Sequence, residues 1–141
     1  MNASKCLKTL FALTLLTFCL PWFTYNAEVM GCRYGFAFWK WFLPPVGVLA
    51  VCLAWPRRSF ILIIIGECAL AAEFAALVFS FGMWQQVCNI KAGFHWLEGF
   101  RTAQPGYWVS VGFFMIFFLC YQIELVKASC KSAVSELNWR K

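Results

Sequence analysis

Four long apolar runs, separated by short polar stretches, organise this chain: 6–23, 36–55, 60–84 and 107–126. A run of about 20 apolar residues, wound as a helix, matches the roughly 30 Å hydrocarbon core of a bilayer. The pattern therefore predicts an all-α membrane protein, a four-helix transmembrane bundle running up-down-up-down. The whole chain, 1–141, reads as one transmembrane domain. Its connections are two outer loops, 24–35 and 85–106, and the tight turn Pro56-Arg57-Arg58-Ser59, with a cytoplasmic tail at 127–141.

The first run is the shortest, and Lys5 and Lys8 give it the look of a signal peptide. No small-residue cleavage site follows, because the exit reads Leu20-Pro21-Trp22-Phe23. Bulky Phe18 before Cys19 also argues against a lipoprotein signal. An uncleaved first transmembrane helix is expected. In the second run, Pro44-Pro45 is expected to kink or restart the helix, since proline lacks a backbone donor and crowds the preceding turn.

Basic residues set the orientation. Lys5, Lys8, Arg57, Arg58, Lys127, Lys131, Arg140 and Lys141 fall on one side, against Arg33, Lys40, Lys91 and Arg101 on the other. Lys and Arg favour the cytoplasmic side, so both termini are expected inside. A plasma membrane or bacterial inner membrane fits this arrangement.

Composition agrees with a lipid solvent. Hydrophobic residues make up 62% and charged residues 13%, about half the charged fraction of soluble domains. The net charge of +6 would raise nucleic acid as a partner for a soluble protein. Here the basic residues stand singly around apolar spans, so the bilayer is the expected partner and nucleic acid is not. Among the eight cysteines no CxxC pair or zinc-ligand spacing occurs, and the single histidine, His95, rules out a His-rich metal site. No cofactor or metal is expected.

The third run contains Glu67 and Glu73. A carboxyl at bilayer depth costs about 2.5–3.5 kcal/mol on insertion scales, which marks it for function by default. Six positions separate the two, about 240° around a helix, so they do not share a face. Counting depth places Gln122 and Tyr121 of the fourth run level with Glu67, and Thr14 and Thr17 of the first run level with Glu73, as expected hydrogen-bond partners. The functional reading is proton or cation handling. The bland reading, which weighs more, is a neutral carboxyl gluing helices together. Small residues at Ala71, Ala72, Ala75 and Ala76 suit close helix packing within one chain.

Cys32 and Cys88 fall in the two outer loops and form a candidate disulfide. Phe94-His95-Trp96-Leu97-Glu98-Gly99-Phe100-Arg101 reads as a short interfacial helix. Its Phe94, Trp96, Leu97 and Phe100 are candidates for contact with another protein. Together these features favour a non-enzymatic accessory or structural subunit, or interaction protein, associating with other membrane proteins or with itself. A small transporter or channel component using Glu67 and Glu73 is the alternative. A membrane thiol oxidoreductase comes third, because the CxxC pair it would need is missing.

Overall fold

The computed structural model describes residues 3–24, 32–54, 60–87 and 93–139, with side chains over 5–24, 34–54, 61–86 and 93–127. Five α-helices occur among them: α1 (Ala3–Leu16), α2 (Trp39–Ala54), α3 (Phe60–Val87), α4 (Trp96–Thr102) and α5 (Pro105–Trp139). Two short strands, β1 (Pro21–Thr24) and β2 (Cys32–Tyr34), and two 3-10 turns, Thr17–Cys19 and Gly35–Phe38, complete the described elements. An all-α fold fits. Three stretches, Gly35–Ala54, Ile61–Gln86 and Pro105–Lys127, are long and apolar enough to cross a membrane. α1, at 14 residues, falls short of that length by itself.

Two expectations are corrected at the end of the first run. The helix does not continue to residue 23, and Thr24 and Cys32–Tyr34, at the two edges of the expected outer loop, belong to short strands, while 25–31 lie outside the described residues. Pro21 biases the residue before it toward extended backbone, and Leu20 takes φ −82° and ψ 153°. The chain then pairs antiparallel with β2, with Phe23 opposite Arg33 and Thr24 opposite Cys32. Backbone bonds from Gly35 N to Leu20 O and from Gln104 N to Trp22 O tie this small sheet to its neighbours. The Pro44-Pro45 pair lies inside α2, which runs continuously from Trp39 to Ala54. α3 continues to Val87, beyond the expected end of its run, and α5 starts at Pro105.

α1 packs along α5, and α2 along α3. At the sheet end an aromatic plug joins the two pairs. Trp22 and Trp84 are fully buried there. Trp22 stacks on Phe38 and meets Phe42 and Tyr107 edge-on, while Phe23 stacks flat on Trp84 at 5.4 Å. Tryptophans near span ends commonly mark the lipid headgroup belt, yet these two are core residues. Among the described residues Trp39, Trp96 and Trp108 are the exposed tryptophans.

The plug depends on close backbone approach at Gly106. A Cβ there would meet Pro21 O and stand 2.8 Å from Leu20 Cβ, whereas one at Gly112 would meet nothing within 4 Å. Gly106→Ala is therefore expected to destabilise by about 1–3 kcal/mol through overpacking. Gly112→Ala should be neutral or stabilise by up to about 1 kcal/mol through helix propensity. Thermal unfolding of both variants in detergent checks the contrast.

Candidate functional site

The two carboxyls of α3 face different surroundings, and α5 forms part of both. Glu67 lies at one end of a groove of about 420 Å³ between α3 and α5. Leu70, Ala71 and Phe74 line it from α3, and Phe114, Met115 and Phe118 from α5. Gln122 Nε2 donates to both Glu67 oxygens, at 2.9 and 2.8 Å. Tyr121, one residue earlier, is buried, and its hydroxyl occupies the space that a Cβ on Gly66 would need.

This contact is open to a direct test. Gln122→Leu is expected to cost about 1 kcal/mol, with a Glu67–Gln122 coupling of about 0.6–1.7 kcal/mol in a double-mutant cycle, the range found for interhelical bonds in lipid. Additive effects of the two substitutions would show that the pair contributes nothing.

Glu73 is only 2% exposed and lines a separate void with Thr14, Phe18, Phe42, Leu77, Ser110 and Phe114. The void is too tight for a water molecule. Thr14 shares it, but its hydroxyl donates to Leu10 O at 2.9 Å. Thr17 donates to Thr14 O at 2.6 Å, and Ser110 to Gly106 O at 2.8 Å. All three hydroxyls are thus engaged by local backbone carbonyls, the bonding that Ser and Thr favour inside helices, and Ser110 Oγ also lies 3.4 Å from Thr17 O. Among the described residues none donates a hydrogen bond to Glu73. Phe114 belongs to both the void and the groove and separates the two carboxyls.

The sheet end carries the remaining candidates. α4 covers Trp96–Thr102, and Phe94 lies just before it. Gln85 Nε2 donates to Glu98 Oε2, His95 N donates to Gly82 O at 2.8 Å, and Phe81 meets Phe100 edge-on at 4.8 Å. A Cβ on Gly99 would stand 2.6 Å from Phe81 O, so α4 lies directly against the α3 backbone. With that face held, Phe94, Trp96, Leu97 and Phe100 are exposed, Leu97 at 77% and Phe100 at 63%.

Cys88 is outside the described residues, as is the side chain of Cys32, so their pairing lies outside them too. Cys6, Cys19, Cys52, Cys68 and Cys120 are free thiols. Sequence reasoning did not single out Phe114, Phe118, Met115 or Ser110. They belong to the uniformly apolar fourth run, where no polar face distinguishes a groove wall from core. No protein-family model, curated protein or solved structure matches this chain.

Proposed function

We propose that this is a four-span integral membrane protein with both termini cytoplasmic, acting as a non-enzymatic accessory or interaction subunit of a membrane complex. The host membrane on this reading is a plasma membrane or bacterial inner membrane. α1 supplies the fourth crossing together with its 3-10 extension. Fourteen α-helical residues rise about 21 Å, and the three 3-10 residues add about 6 Å. The sum approaches the roughly 30 Å hydrocarbon thickness, with the Lys5 and Lys8 side chains reaching back to the cytoplasmic interface. The excess of Lys and Arg on the side of the termini and of Arg57-Arg58 supports the orientation.

The observation that carries the subunit reading is the exposed apolar ridge of Phe94, Trp96, Leu97 and Phe100. Short helices that lie loosely on a bilayer do not need a fixed underside. This one is anchored by Gln85, Gly82 and Phe81. A rigid ridge of large aromatic and aliphatic side chains suits recognition of another protein. A photo-crosslinking amino acid at position 97, activated in native membranes, is expected to give one discrete protein adduct. Adducts with lipid alone would overturn the reading.

A second reading, proton or cation handling, is favoured by one observation: Glu73 is buried without a hydrogen bond from any described residue. Intramembrane carboxyls of this kind occur in proton relays. Proteoliposomes carrying Glu73→Gln would then lose a pH-driven flux that the unaltered protein sustains. Equal flux in both would remove this reading.

A further inference from the structure

Among the described residues, Glu67 is the one charged-type side chain lining the α3–α5 groove. An ionised carboxyl offers about four acceptor positions. The Gln122 amide nitrogen supplies two hydrogens at most, at 2.9 and 2.8 Å, so acceptor capacity is left over. No described Lys or Arg forms an ion pair with Glu67. The other walls are carbon or thioether, and they include Phe74, Phe114 and Phe118. Phe74 and Phe114 stack with ring centroids 6.3 Å apart.

A groove of about 420 Å³ lies within the 300–1,000 Å³ range of small-molecule sites, which combine apolar walls with a few fixed polar groups. The chemistry of the walls narrows the occupant. An anion would meet the Glu67 carboxylate at low dielectric. A neutral hydrocarbon would leave the remaining acceptor positions unanswered, which is costly away from water. A cation on an apolar body satisfies both parts, because aromatic faces also attract cations within about 6 Å. We propose that the α3–α5 groove is a binding site for a lipophilic monocation. An ammonium head that carries N–H donors lies at Glu67, and the apolar body runs along Phe74, Phe114 and Phe118. Free lipophilic amines and lipids with amino headgroups share this chemistry. The site depends on the bilayer-embedded reading and is independent of the protein-partner reading, since a failed crosslink at position 97 does not touch it.

The test is equilibrium dialysis of radiolabelled dodecylamine, an ammonium ion with three N–H donors at pH 7, against the full-length protein in dodecyl maltoside. Saturable one-site binding is expected. Glu67→Gln should weaken it by about tenfold or more, the effect of losing roughly 1.4 kcal/mol. Ala71→Trp, which fills the groove and keeps Glu67, should abolish it. Glu124→Gln removes an equal charge from an exposed pair with Lys127 and should leave binding unchanged. If Glu67→Gln fails to fold, Ala71→Trp decides. Equal binding by the unaltered protein, by Glu67→Gln and by Ala71→Trp would overturn the proposal. So would a dimer that Ala71→Trp breaks in the absence of any cation binding, since the groove would then be a seam between copies. Competition separates the two sources. Displacement by phosphatidylethanolamine but not phosphatidylglycerol identifies a lipid headgroup, and displacement by neither identifies a free amine. Equal displacement by both would mean that the groove holds acyl chains, which overturns the proposal.

Discussion

Trp22→Ala is expected to lower stability by about 3–5 kcal/mol, the range for truncating large buried aromatics, read as a fall in the unfolding midpoint in detergent. The size follows from what the indole does. It is fully buried, it contacts Phe18, Phe38, Phe42 and Tyr107, and its Nε1 donates to Thr17 O at 3.2 Å. Truncation opens a cavity where the two helix pairs meet and removes one of the donors to Thr17 O, which keeps its bond from Leu20 N at 3.0 Å. Between helices in lipid the hydrophobic driving force is small, so packing of this kind carries more of the stability there than in water. Trp22→Phe keeps much of the volume and loses the bond, and should cost clearly less. If Trp22→Ala falls within about 0.5 kcal/mol of the unaltered protein, as surface changes do, the plug does not hold the pairs together.

Glu73→Met is expected to act in the opposite direction, raising stability by about 1–3 kcal/mol. That is the mutational cost of burying a polar group without a compensating hydrogen bond. The side chains are similar in length, and methionine adapts to irregular space, so the narrow void among Thr14, Phe18, Phe42 and Phe114 can accept it. Glu73→Gln retains a polar group in the same dry place and should shift the midpoint little. A loss of stability in Glu73→Met would show that the carboxyl does bind its neighbours in the membrane. A gain, accompanied by loss of function in cells, would show a carboxyl retained for its chemistry at a cost in stability.

Some of this was legible in the residues alone. The apolar runs around Phe42, Glu73 and Phe114 could be read as helices, because run length and hydropathy are local properties. The depth of Gln122 relative to Glu67 could also be counted, since helices of fixed rise place residues at calculable heights. Which hydroxyls would reach Glu73 could not. Thr14 and Thr17 lie at the expected height, but each can satisfy itself on its own helix backbone, and nothing in the spacing shows which bond wins. The role of Trp22 was equally hidden. A tryptophan beside a span end looks the same whether it faces headgroups or fills the core, and the Pro21 turn that aims it inward is a local signal with a non-local result.

The residues alone carried the class and most of the elements: apolar stretches long enough, and free enough of charge, to cross a membrane, although the first was read straight through Pro21 to residue 23. Only the tertiary structure decided that Trp22 and Phe23 plug one end of the helix pairs. It alone separated the α3 carboxyls into one beside an open groove and one in a dry void. The reason is physical. Hydropathy is a sum over single residues, whereas a cavity, a stacked ring or an unanswered acceptor exists only between segments that the chain brings together from far apart.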